Sequence, residues 1–459
     1  MFSDRTNWKL AQNRLTLALE DARARGGQIL DLTVSNPTRV GLQYDSHAIL
    51  SAFGSDTPTL AGKTAARMGH PHPILDYDPQ ANGLLSAREA VAAYYREDHG
   101  VDLDPEQIVL TTSTSEGYSF VFRLLCNAGD ELLVPKPSYP LFEFLADLQD
   151  VKLVPYPLIY DHGWQMDFHS LEKAVTARTR GVVVVHPNNP TGSYVKAVEV
   201  EQLNAFCRER GLAVIVDEVF LDYGLGDAHV GADPLVRLVE LSSTVVTASE
   251  MSSPQGLKPI SFAGLSGTAE AVPLPKRASE NSFRQHASFA ANRETLTFTL
   301  SGLSKIAALP QMKVAWVVTS GPEEQVAAAM ARLEVIADTY LSMNAPVQWA
   351  MPTLLAQRKS IQQQLMARVQ TNLAELDRQL AAQQACSRLE VEGGWYAVLR
   401  VPVTQSDEEL AIELVREKQV LVHPGHFYDF PSDGYLVVSL IAPEKEFAKG
   451  VRRVLEQLA

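Results

Sequence analysis

The residues best equipped for chemistry sit where apolar runs stop. Phe298-Thr-Leu-Ser-Gly-Leu-Ser-Lys305 is a β-rich run that breaks at small residues, presents one lysine, and resumes at Lys313-Val-Ala-Trp316. A lysine at the end of a buried strand is short of water. That favours the neutral amine, lowers its pKa and suits it to form a Schiff base with a carbonyl. Gly181–Val185 runs into His186-Pro-Asn-Asn-Pro-Thr-Gly192, where Asn189 offers a carboxamide. Leu212–Val216 runs into Asp217-Glu218-Val219-Phe220, which offers an acid. Val109-Leu-Thr-Thr112 runs into Ser113-Thr-Ser-Glu116. That last pattern is a capping box, and the free N–H groups and dipole of the helix it opens suit a phosphate. Each motif taken alone has an ordinary reading as a surface turn or a helix cap, and the cap at Ser113 is compatible with both roles. What sets them apart is their shared place, because ligands of open parallel sheets bind beyond the carboxyl ends of the strands.

The elements that must carry these residues follow from residue 107 onward. Short apolar runs (108–110, 131–134, 152–156, 181–185, 212–216) alternate with amphipathic stretches (115–126, 141–148, 171–177, 198–210). Runs that are apolar on both faces are strands buried on both sides. The expected fold class is α/β: a large domain with a mainly parallel sheet covered by helices in α/β/α layers, plus a small α+β domain. We place the large domain at 51–330 and the small one at 331–459, with residues 1–50 packing against the latter. Residues 225–292, rich in Ser, Ala, Pro and Gly, break the alternation and read as a long insertion with one strand at Thr244–Thr247. Long helices are expected over Pro322–Tyr340 and Pro346–Leu380. Later strands are expected over Leu389–Val391, Trp395–Val401, Val420–His423 and Tyr435–Leu440.

Composition narrows the partners. The 459 residues carry a net charge of −14, with no basic surplus for a nucleic acid. Cys126, Cys207 and Cys386 are far apart, show no metal-binding spacing, and suit reduced thiols in a cytoplasm. No signal peptide is expected from the polar Met1–Leu10, and no apolar run approaches the ~20 residues of a membrane span. No GxGxxG follows a strand, which disfavours a dehydrogenase.

An amine, a buried acid, an amide and an anion-binding helix start are the parts a pyridine cofactor needs. In order and approximate spacing, Asn-Asn-Pro-Thr-Gly192, Asp217-Glu-Val-Phe220 and Ser304-Lys305 resemble the fold-type I, class I/II aminotransferases of the aspartate aminotransferase superfamily. Those enzymes depend on pyridoxal 5′-phosphate (PLP). The resemblance covers nearly the whole chain apart from 225–292. It implies that Lys305 forms the Schiff base and shuttles the substrate proton, that Asp217 pairs with the pyridinium nitrogen, and that Asn189 donates to the ring oxygen. It further implies phosphate contacts from Ser113, Thr114 and Ser304, and stacking by Tyr139. Tyr77 would reach the phosphate of a neighbouring subunit, hence a homodimer with shared sites. Asn36 would lie on a loop closing over substrate.

Four positions depart from the family pattern. Lys313 replaces a phosphate-binding arginine, keeping the charge and losing the bidentate fork. Gly302 replaces a serine. Phe220 replaces a tyrosine that donates to the ring oxygen. Val437, in Tyr435-Leu-Val-Val-Ser439, replaces the arginine that grips the substrate carboxylate, and Arg39 is the candidate substitute. The implied function is PLP-dependent transfer of an amino group from an amino acid or amine to a keto acid. The alternatives are a lyase or decarboxylase on the same fold, and a non-catalytic PLP-fold binding protein.

Overall fold

A computed structural model describes residues 3–8, 11–53, 77, 79–226, 287–341 and 343–458. The apolar runs named above become strands. β1 (Leu30–Asp31) stands apart near the N-terminus. β2 (Ile108–Thr111), β3 (Glu131–Lys136), β4 (Lys152–Tyr160), β5 (Trp164–Met166), β6 (Thr179–Val185), β7 (Ala213–Asp217), β8 (Thr297–Gly302) and β9 (Ala315–Ser320) form one eight-stranded sheet. Its order is β2-β9-β8-β7-β6-β3-β4-β5. The five strands β8, β7, β6, β3 and β4 run parallel, while β2, β9 and β5 at the edges pair antiparallel.

The sheet is parallel because both of its faces are covered. On one face Val109, Leu300 and Val317 meet Phe120, Val121 and Leu333 from the helices Thr114–Leu125 and Glu323–Thr339. On the other, Leu110, Trp316 and Val318 meet the helices Leu85–Tyr94 and Ala345–Ala356. Burial of apolar side chains on both faces stabilises these strands at about 25 cal/mol per Å² removed from water.

The remaining strands are β10 (Ser387–Arg388), β11 (Tyr396–Arg400), β12 (Val420–Leu421), β13 (His423–Pro424) and β14 (Tyr435–Ser439). β10, β11, β14 and β13 make a four-stranded antiparallel sheet, and β1 pairs in parallel with β12. The N-terminal segment divides its contacts. The helix Arg14–Ala24 packs on the C-terminal helix Asp407–Glu413. Ile49, in contrast, joins the core beside β2 and β9. Trp8 also reaches the other way: its Nε1 donates to Asp147 at 2.9 Å and its ring packs edge-on against Phe144.

Two expectations change, and a third falls outside the described residues. The helix expected over 346–380 breaks at Gln357 into Ala345–Ala356 and Arg358–Leu380. There the buried Arg358 donates to Asp98 at 2.7 Å and to Glu97 at 2.7 Å, so an ion pair across the structure sets a break that local periodicity does not mark. The strand expected over 420–423 splits, because β12 and β13 belong to different sheets. The strand expected at Thr244–Thr247, like all of 227–286, lies outside the described residues. The two ends of the long stretch are anchored. The Leu225 N–H donates to Glu392 O at 2.8 Å, and Phe289 and Ala290 are buried. Among the described residues no helix is long and apolar enough to cross a membrane.

Candidate active site

Three neighbouring parallel strands deliver their end residues to one edge of the sheet. β8 ends at Gly302, and a single helical turn, Leu303–Ile306, follows with Ser304 and Lys305. Lys305 Nζ lies 3.5 Å from Ser35 O, 4.9 Å from the centre of the Trp395 ring and 5.5 Å from that of Phe220. Burial among these rings lowers the lysine pKa to about 8, and Asp217 opposes that shift. At pH 7 about a tenth of the amine is then neutral, against fewer than one in a thousand for an ordinary lysine.

Gly302 is held in this place by packing. A Cβ there would stand 2.8 Å from Val314 O and 2.9 Å from Ala315 Cα, backbone that a side chain cannot displace. Its φ of 177° is ordinary extended chain, so space and not backbone strain excludes the serine of the family pattern. Gly302→Ser should lower stability by about 1–3 kcal/mol. Thermal or urea unfolding reads this directly, and an unchanged midpoint would refute the packing argument.

Asp217 ends β7, paired in register with Leu300 on β8 and with Val185 on β6. Its Oδ1 accepts from the Val219 N–H at 3.1 Å and its Oδ2 from the Tyr118 hydroxyl at 3.2 Å. Burial raises its pKa to about 6 against these two bonds and against Lys305. Glu218, next in the chain, accepts instead from Ser288 Oγ at 2.7 Å and from the Phe289 N–H at 2.6 Å. It therefore anchors the returning chain.

β6 runs into the loop that holds both asparagines, and they divide the work. Asn188 Nδ2 donates to Pro137 O at 3.1 Å and to Thr191 Oγ1 at 2.9 Å, tying two loops together. Asn189 Oδ1 is buried and has no hydrogen-bond partner among the described residues. A buried carboxamide without a partner is costly unless a ligand completes it.

The helix Thr114–Leu125 starts at the neighbouring corner. Ser113 Oγ accepts from the Glu116 N–H at 3.1 Å. Glu116 Oε2 reaches back to the Thr112 N–H at 2.7 Å, one residue earlier than the standard reciprocal bond. The first N–H groups of the helix lie outside its own hydrogen-bond ladder and can meet an anion.

The other expected residues are placed as follows. Ser304 is half-buried beside Lys305, and Tyr139 is half-exposed on the loop after β3, where burial, and after it the charge of Asp217, raises its phenol pKa. Phe220 is buried and meets Trp395 edge-on at 5.2 Å. Lys313 is exposed, in left-handed backbone. Tyr77 is 80% exposed and thus no part of this chain's buried cluster. Asn36 Oδ1 is committed to its own turn, accepting from the Thr38 N–H at 3.0 Å and the Thr38 hydroxyl at 2.8 Å. Arg39 is exposed at the end of that turn. Val437 is buried in the small sheet between His423 and Val398. The buried Arg88 and Arg358 are both taken up by carbonyls and carboxylates elsewhere.

Several contacts around Lys305 were not anticipated. Ser35 O meets the amine, and the Tyr223 hydroxyl donates to Lys305 O at 2.6 Å. Ser439 Oγ donates to Val34 O at 2.6 Å and so ties the N-terminal strap down beside the lysine. Trp395 and Tyr118 read as core aromatics in the sequence, with no local signal that they border chemistry.

The residues present fit a pyridine ring bearing a phosphate and a phenolic oxygen. They supply a buried carboxylate, an uncommitted carboxamide and a softened amine from the adjacent ends of β7, β6 and β8, and an open helix start after β2, two strands from β8. The profile described as aminotransferase class I and II matches residues 51–253 and 263–453. The chain belongs to the class I and II aminotransferases.

Among its relatives is the glutamate-pyruvate aminotransferase AlaA of Escherichia coli K12, 24% identical over 426 residues, covering 90% of this chain and 87% of that one. The alanine aminotransferase of Mycobacterium tuberculosis H37Rv is 23% identical over 438 residues, with 94% and 86% covered. The solved structure of the alanine aminotransferase from Pyrococcus furiosus shares the fold at a TM-score of 0.75 and 20% identity, over 99% of this chain and 98% of that one. Membership makes this protein a transaminase of the PLP-dependent family, whose substrates are amino acids and keto acids. PLP supplies that family with an aldehyde that takes up amines and a protonated ring that accepts electrons.

Proposed function

We propose that this transaminase uses PLP held by the residues described above, with Lys305 as the amine that bonds the aldehyde and then carries the substrate proton. The observation that supports this best is the placement of Asp217 at the end of β7 and of Lys305 on the turn just after the adjacent parallel β8, an amine softened by burial beside a buried acid whose charge acts on it. Asp217 keeps the ring nitrogen protonated. Asn189 donates to the ring oxygen, and Tyr139 covers a ring face. Ser113, Thr114, Ser304 and Lys313 hold the phosphate. Phe220 forms an apolar wall at the amine. Because the two buried arginines are occupied and Val437 is apolar, Arg39 on the strap takes the substrate carboxylate, with Asn36 shaping that strap. The smaller unit is the helix Arg14–Ala24, β1 and the chain from Arg358 onward, because the helices Glu323–Thr339 and Ala345–Ala356 and Ile49 pack on the large sheet.

The names of the relatives point to L-glutamate as donor and pyruvate as acceptor, with L-alanine as the product and as the donor in the reverse direction. We place the enzyme in the cytoplasm as a homodimer, with Tyr77 reaching the neighbour's phosphate. Its exposure leaves that side chain available to a second subunit. Purified protein supplied with PLP should show a visible band that L-alanine or L-glutamate bleaches and pyruvate restores, and it should sediment as a dimer. A band that no α-amino acid bleaches, but that amines without a carboxylate do, would overturn the substrate assignment. A monomer with full activity would remove the shared site.

A further inference from the structure

We propose that Tyr118 is a positioning residue for this reaction: its hydroxyl holds the Asp217 carboxylate ionised, so that the proton between Asp217 and the cofactor stays on the ring nitrogen. This rests on the cofactor reading above. Tyr118 is 2% exposed and lies one turn into the helix whose start would hold the cofactor phosphate. One rigid element therefore sets both the cradle and the acid. Its ring is held edge-on by Phe122 at 5.8 Å and by Phe142 at 5.1 Å. That leaves the hydroxyl one direction, toward Asp217 Oδ2 at 3.2 Å. An ionised carboxylate only accepts, so the phenol donates, and a donor to the charged form favours that form.

The surroundings make this donor matter. The other oxygen of Asp217 accepts from the Val219 N–H, a bond that no side-chain change alters. Lys305 on the turn after β8 favours the carboxylate by charge. Tyr139, on the loop after β3, faces the acid as a neutral phenol. Glu218 is turned away to Ser288 and Phe289. Among the described residues Tyr118 is then the side chain that hydrogen-bonds to Asp217. Without its hydroxyl the buried carboxylate becomes more basic, the proton moves from ring nitrogen to acid, and the ring loses electron-withdrawing power.

The test compares wild type and Tyr118→Phe, each loaded with PLP labelled with ¹⁵N in the ring. Tyr118→Phe keeps the ring packed between Phe122 and Phe142, and Tyr118→Leu serves if the first variant fails to fold. Wild type should show the ¹⁵N shift of a protonated pyridinium between pH 6 and 8. The variant should move toward the unprotonated value, bind PLP about tenfold more weakly, and lose kcat with little change in KM. An unchanged ¹⁵N shift in a variant with a normal visible band would overturn the role of Tyr118 and leave the cofactor reading intact. No visible band in wild type would overturn both.

Discussion

Lys305→Ala should fold, take up PLP without the lysine-bound visible band, and turn over roughly 10⁴-fold more slowly than wild type, the upper range for loss of a positioned proton carrier. The direction follows from the site. Lys305 is the amine at the end of β8, and the carboxylates on that side, Asp217 and Glu218, are committed to hydrogen bonds of their own. Stability should hold, because removing an amine whose charged form is disfavoured by burial removes a cost. Spectra, steady-state rates and a thermal melt on one preparation decide it. Turnover within tenfold of wild type would sink the assignment of Lys305.

Asp217→Asn should have the second largest effect. The amide keeps its oxygen as acceptor for the Val219 N–H and turns its Nδ2 to the Tyr118 hydroxyl, which then accepts, but it carries no charge, so it cannot hold a protonated ring nitrogen. The expected loss in kcat is about 10²–10³-fold, the scale on which one preorganised electrostatic partner acts. The same substitution has a signature without cofactor. The folded-state pKa of Asp217 is raised to about 6, above the value of about 4 expected in an unfolded chain. Such a group contributes stability that is fully present below its unfolded pKa and is lost as pH rises through its folded pKa. Cofactor-free wild type should therefore lose stability relative to Asp217→Asn between about pH 4 and 6, with a constant difference above that. Melting temperatures across pH 4–8 that run parallel for the two proteins would contradict a strained acid at this position.

Much of this site could be read before the structure because continuous apolar runs have few uses. β6 and β7 are buried on both faces and their apolar runs do not alternate, while β8 alternates Thr297, Thr299 and Ser301 with Phe298 and Leu300 although both its faces are buried; the small and turn-forming residues that stop these strands mark the edge where ligands bind. That logic singles out Asp217, Asn189 and Lys305 as candidates, from strands whose ends are local events. The break at Gln357 and the division of β12 from β13 were missed for the opposite reason. Each is decided by partners far away in sequence, Asp98 for Arg358 and β1 for β12.

The sequence by itself determined the family and the parallel sheet, and it singled out Lys305 and Asp217 as candidate amine and acid, because those rest on order, burial pattern and residue type. Only the tertiary structure decided which aromatic side chains meet Asp217 and Lys305. Tyr118 and Trp395 sit on apolar faces like any core residue. Whether a hydroxyl or a ring meets Asp217 or Lys305 depends on how a helix and a strand are docked across the molecule. The structure also explains Gly302, whose missing side chain reflects the close approach of β9. It likewise separates Asn188 from Asn189, identical in type and adjacent in the chain. One is spent on Pro137 and Thr191 and the other is left with a buried oxygen unpaired, because the turn points the two side chains to different neighbours.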